Sequence, residues 1–288
     1  MLTKQLKWTL LFALALIWGS SFILIKKGLV GLSPYQLGSL RIIFTSLFLL
    51  IIGFRSLTEI KQYQWKYIAI TALFGTFLPA FLFAIAETKV SSSVCSILNS
   101  LTPLNTLLIG IIAFGMAFKR SQFIGVVIGL IGTAILIFNG KQEGSNENYT
   151  YAVLVIIASI CYALNVNLIK KYLSDVKPLS ITTGNFSVML IPALIVLFST
   201  NFLEIVHLPA TQHSMLFIMI LGIVGTGIAN ILFFKLIQMS SPVFASSVTY
   251  LIPIMAFFWG LLDHEMLTTF QFIGAFVILV GVYLANKK

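Results

Sequence analysis

The chain has 288 residues, of which 59% are hydrophobic and only 9% charged, against roughly 25% charged in an ordinary soluble domain. That balance excludes a soluble globular protein. The formal net charge of +10 does not point to nucleic acid either, because most bases sit in short connections between apolar runs, where they set membrane orientation.

Taken in order, apolar runs of about the ~20 residues needed to cross a bilayer fall near 8–27, 34–54, 65–86, 90–115 and 121–139. After a polar connection, 139–148, five more follow near 150–170, 180–199, 214–236, 242–262 and 268–286. Outer-membrane barrel strands would be shorter and alternating, so all of these read as helices. The first run follows Lys4 and Lys7 as a signal peptide would, but Lys26 and Lys27 come too late for a cleavage pattern, so an uncleaved helix is expected. With the amino terminus in the cytoplasm, the inside connections collect Arg55, Lys61, Lys66, Lys119, Arg120, Lys170, Lys171, Lys177 and Lys235. Most acids, among them Glu87, Glu204, Asp263 and Glu265, fall outside. The expectation is a multi-pass protein of the plasma (inner) membrane, embedded in the lipid bilayer with both termini cytoplasmic.

The two halves align. Leu24 to Lys27 and Pro34 recur as Leu168 to Lys171 and Pro178, an offset of 144, and Gly75–Thr76 recurs as Gly225–Thr226 at 150. Gln122 to Gly125 returns as Gln271 to Gly274. Each half holds five runs, an odd number, so the copies must cross in opposite senses. The expected fold is all-α, with ten transmembrane helices as two inverted five-helix repeats, residues 1–140 and 141–288. Such repeats mark transporters whose binding site lies near the midplane where the halves meet.

Polar residues inside the spans are the candidate site. Ser92, Ser96, Asn99, Pro103 and Thr106 recur at helical spacing, and Pro242, Ser246, Thr249, Pro253 and Ala256 repeat the stripe 150 residues on. A helical proline frees the carbonyl four residues earlier, so Pro103 exposes that of Asn99 and Pro253 that of Thr249. Two readings stand: the prolines, with Pro79, kink or gate their helices beside a pathway, or they only bend them around neighbours. Arg41 sits about seven residues into the second span, roughly 10 Å deep at 1.5 Å per residue. It either holds a substrate carboxylate or closes an outer gate, or else it snorkels or braces carbonyls. Further candidates for substrate contact are Trp18, Ser20, Thr76, Tyr162, Asn165, Asn230 and Tyr250. The external triplet Asp263, His264 and Glu265 has no partner nearby to make a catalytic or metal centre. Cys95 and Cys161 fall inside apolar spans with no metal-ligand spacing, and no cofactor or metal site is expected.

These residues carry a resemblance. Ile17 to Phe22 (IWGSSF), Pro34, Arg41, the duplicated Ser/Pro stripe and a Gly near the start of each half's last span resemble the EamA-like branch of the drug/metabolite transporter superfamily. The likeness covers essentially the whole chain. It departs at Lys119 and Arg120, where the family repeat often has Glu. The resemblance implies ten helices in two inverted repeats, a central cavity with the fifth and tenth helices peripheral, and export or exchange of small metabolites, often amino acids or their analogues.

The expected function is therefore a carrier for a small-molecule substrate, an amino acid or related zwitterionic or anionic compound, exported by alternating access as facilitated diffusion or exchange. No acid or His lies within the spans to couple protons, and the membrane Glu on which four-helix multidrug relatives rely is missing. Efflux of organic cations, and a sensor or scaffold that binds without transport, are the alternatives. An enzyme would need convergent acids, a His or an activated nucleophile, which the spans lack. The protein is expected to act as a monomer or homodimer without nucleic acid.

Overall fold

The structure is a computed structural model that describes residues 2–115, 120–139, 148–263 and 268–286. The expected boundary at residues 140 and 141, Lys119, His264 and Glu265 all lie outside these residues. The described residues fold into helices without strands. Eight helical segments are long and apolar enough to cross a membrane: α1 (Gln5–Gly28), α2 (Pro34–Glu59), α3 (Gln62–Ala86), α4 (Ser92–Phe114), α6 (Tyr149–Tyr172), α7 (Pro178–Phe198), α8 (Pro209–Met239) and α9 (Pro242–Gly260). The expected fifth and tenth spans are the helices α5 (Arg120–Asn139) and α10 (Thr269–Asn286).

Prolines open several of these helices, where a missing N–H costs nothing. At α2, Pro34 follows a capping box in which Gln36 N donates to Ser33 Oγ and Ser33 N donates to Gln36 Oε1. Polar contacts sort the helix ends into two groups. One group joins the end of α1 to the start of α8, where Thr211 Oγ1 donates to Gly31 O at 3.1 Å, and to the end of α9, where Lys26 and Lys27 meet Asp263. Asn148 N, just before α6, donates to Lys89 O at 2.8 Å in the same group. The other group joins Glu59 to Lys177, Gln64 to Asp175, and Lys170 to the carbonyls of Ile237, Gln238 and Ser240. Hence α1 and α6 run in opposite directions.

Inside the bundle, helices approach through small residues and short hydrogen bonds, as expected where lipid removes the hydrophobic drive between helices. Ser46 Oγ on α2 donates to Phe186 O of α7 at 2.9 Å, and Asn105 Nδ2 on α4 donates to Ser159 Oγ of α6 at 2.7 Å. The pair α5 and α10 packs backbone to backbone: a Cβ on Gly281 would strike the main chain at Gly125 and Gly129, and one on Gly132 that at Ile278 and Gly274. Large apolar side chains such as Val30, Ile51, Ile112 and Phe276 point outward, the pattern of a lipid-facing surface.

Several helices are interrupted in ways the sequence pattern did not indicate. α3 contains a π-helical stretch, Leu73–Phe77, and α8 another, Leu221–Ile228. α4 breaks at Ser100 and Leu101, between Ser92–Asn99 and Thr102–Phe114. Pro79 thus stays inside the continuous α3, directly after its π stretch, whereas Pro103 sits in the first turn of a new helical piece and not in mid-helix. Pro253 likewise stands second in Ile252–Leu262, after a 3₁₀ turn. The carbonyl of Asn99, expected to be exposed, accepts from Thr102 Oγ1 at 2.7 Å. In α4 a break replaces a kinked continuous helix, and the Thr102 side chain satisfies the carbonyl at it.

Candidate functional site: a central cavity

A cavity lies among α1, α2, α3, α4, α6, α8 and α9. The two π-helical stretches build its walls. A π turn adds a residue to the helix and is frequent at functional sites. In α8 it turns Thr226 toward Arg41, whose Nε donates to Thr226 Oγ1 at 2.8 Å, while that hydroxyl donates to Leu221 O at 3.0 Å. Gly225, one residue earlier, offers its carbonyl to Trp18 Nε1 at 3.0 Å. In α3 the corresponding residues are Gly75 and Thr76, and Gly75 faces Asn165 of α6: a Cβ on Gly75 would overlap the Asn165 amide, so only glycine leaves that side chain its place.

Arg41 is the only charged residue on the wall among the described residues. With Nε committed to Thr226, the rest of its five-donor guanidinium fork is left for other acceptors. Aromatic pairs line the cavity at two places. Trp18 packs edge-on to Phe233, with centroids 4.8 Å apart, and Tyr162 stacks against Phe83 at 6.0 Å. Phe233 stands near the end of α8 in one group of helix ends, and Phe83 near the end of α3 in the other.

Of the candidates read from sequence, Trp18, Arg41, Thr76, Asn99, Tyr162, Asn165, Asn230 and Thr249 come together on this wall. Ser20, Ser96 and Tyr250 are not on it. Ser20 donates to Leu16 O and accepts from Trp259 Nε1, holding α1 to α9. Ser96 is fully buried and donates to Ser93 O at 2.7 Å. Tyr250 packs against the core. Thr106 Oγ1 likewise satisfies its own helix, donating to Thr102 O, while Ser92 Oγ donates to Glu87 Oε2 at 2.8 Å, so much of the stripe on α4 is a packing face. Asp263, expected to lack partners, is bound by two lysines, whose ammonium groups hold its carboxyl below the usual carboxylate range.

Sequence reading did not single out Ser21, Thr102 or Thr226 for the site, nor Phe22, Phe83 and Phe233. The repeat offsets hold the missing signal. Ser21 stands 144 before Asn165, Thr226 stands 150 after Thr76, and Phe233 stands 150 after Phe83.

The comparisons agree with this architecture. The model of the EamA-like transporter family matches twice, at residues 6–138 and 150–287. An uncharacterized transporter of Archaeoglobus fulgidus is 25% identical over 98% of this chain and 99% of its own. The uncharacterized inner membrane transporter YedA of Escherichia coli is 28% identical over 96% and 89%. A Chlamydia muridarum protein named an S-adenosylmethionine/S-adenosylhomocysteine transporter is 24% identical over 87% and 82%. One solved crystal structure shares the fold, with a TM-score of 0.67 at 16% identity, covering 96% of this chain and 95% of that one. A polar, aromatic-walled cavity at the centre of a bundle of membrane helices, in a chain that matches one family model twice, makes the protein a membrane transporter of the EamA-like transporter family.

Proposed function

We propose that the protein exports a small metabolite bearing a carboxylate, an amino acid or related compound, by alternating access as facilitated diffusion or exchange. Arg41 carries this reading: a cationic fork on the wall of a buried cavity, the one charged residue there among the described residues, suits an anionic group. Both molecules in the name of the Chlamydia relative have an α-amino-acid end, the group this fork would engage. The two halves act as inverted repeats. The pair Trp18–Phe233 and the pair Tyr162–Phe83 occupy repeat-related positions, at offsets of 144 and 150. Each serves as the closure on one side, Phe83–Tyr162 outside and Trp18–Phe233 inside, with both chain termini cytoplasmic.

Proteoliposomes loaded with an amino-acid mixture test the proposal. Arg41→Gln is expected to abolish counterflow, and Arg41→Lys to retain a fraction, because an ammonium keeps the charge but loses the fork. Full flux in both variants at wild-type expression would remove Arg41 from the mechanism. Uphill export driven by a pH gradient alone would overturn uncoupled transport.

A further inference from the structure

Two buried polar atoms on the cavity wall have no partner among the described residues: Thr76 Oγ1 and Asn165 Oδ1. Their side chains are only 6% and 2% exposed, so bulk water does not satisfy them. Burying acceptors unmade is costly and calls for a specific occupant. Both line the same cavity, and Asn165 lies directly against Gly75, the residue before Thr76.

The other half of the molecule shows what such a position receives. Thr226, at an offset of 150 from Thr76, accepts the guanidinium of Arg41. The residue at an offset of 144 from Arg41, which would have to do the same for Thr76, is Asn185. Its amide pairs instead with Thr71 Oγ1 at 3.0 Å, deep in the contact between α3 and α7. The first half therefore brings a cation to the threonine of the second half's π turn, and the second half brings none to Thr76.

We infer that Thr76 and Asn165 form the second pole of the substrate site and take the ammonium or N–H donor of the transported molecule, resting on the reading that Arg41 takes its carboxylate. The substrate ammonium does at Thr76 what Arg41 does at Thr226. The class is an α-amino acid or a compound with an equivalent pair of groups, because the wall offers one cation, neutral acceptors and no described acid. Neutral acceptors suit a carrier, which must bind firmly enough to select and weakly enough to release.

The test uses purified full-length protein in nanodiscs and three probes: phenylalanine, its des-amino acid hydrocinnamate and its decarboxylated amine phenethylamine. Wild type is expected to bind phenylalanine about tenfold or more tightly than hydrocinnamate, the effect of one hydrogen bond to a charged group. The double variant Thr76→Val, Asn165→Leu should bring phenylalanine down to the hydrocinnamate level and leave hydrocinnamate unchanged, the second result showing that the variant is folded. Arg41→Gln should weaken both acids. Equal affinity for the two acids, both dependent on Arg41, or an unchanged preference in the double variant, would overturn the inference and leave the carboxylate reading intact. Acid binding indifferent to Arg41→Gln would overturn the carboxylate reading itself. Tight phenethylamine binding that survives Arg41→Gln, or no binding of any probe, would overturn both.

Discussion

Replacing Gly75 by alanine tests the geometry of the π turn in α3. The added Cβ would meet the carbon, nitrogen and oxygen of the Asn165 amide at once, and a short side chain with two torsions can retreat only by changing rotamer and leaving the cavity wall. Overpacking of this kind costs typically about 1–3 kcal/mol. Asn165→Ala alone should cost little, because it deletes a buried acceptor that has no protein partner. In the double variant the methyl group enters vacated space, so the two changes should couple by about 1–2 kcal/mol in the restoring direction. Equilibrium unfolding in mixed detergent micelles measures all four corners of the cycle. Coupling within about 0.5 kcal/mol of zero, the scatter of independent sites, would refute the contact and the subsite built on it.

Other expectations follow from single contacts. Gly281→Leu should separate α10 from α5, because its side chain meets main chain that cannot yield; a loss of about 1–3 kcal/mol or more should appear as reduced folded yield by size-exclusion chromatography. Asn99→Ala should impair flux more than Thr249→Ala, since Thr249 Oγ1 is already used by Ser246 O at 3.0 Å; equal and negligible losses would make both structural. Asp263 is pushed to a lower pKa by Lys26 and Lys27, so its contribution is complete above the ordinary carboxylate value of about 3.9 and is lost as pH falls through the lowered one. The stability difference between wild type and Asp263→Asn, about 0.2–1 kcal/mol for so exposed a pair, should stay constant from neutral pH to about pH 5 and shrink only in stronger acid. A difference that vanishes by about pH 6 would mean another group titrates there.

The spans were legible because apolar length is a strong signal, and so was Arg41, because a charge at that depth stands out. The duplicated stripe was legible as a repeat but not as to which way it faces. In a lipid-embedded bundle a serine or threonine satisfies its own helix three or four residues back, as Ser96 and Thr106 do, so polarity alone does not separate a cavity wall from a packing face. The breaks in α3, α4 and α8 carry no periodic signature. Proline spacing suggested kinks, yet Pro103 begins a new helical piece, where the missing donor is harmless, and Pro79 follows a π stretch inside α3. The aromatic residues of the cavity were lost among 25 phenylalanines, and only the repeat offsets distinguish Phe83 and Phe233.

The π stretch Leu73–Phe77 has a consequence for how α3 tolerates insertion and deletion. A π turn holds one residue more than the α-helix would, and each residue of an α-helix advances by 100°. Deleting one residue there would let the helix close into uninterrupted α form and rotate everything beyond it by about that angle. Phe83 and Ala80 would swing off the cavity while the segments before the stretch stayed in place. Loss of a single codon at this point would therefore redirect the cavity wall around Phe83 without shortening the span appreciably, and the matching stretch in α8 gives the wall around Phe233 the same property.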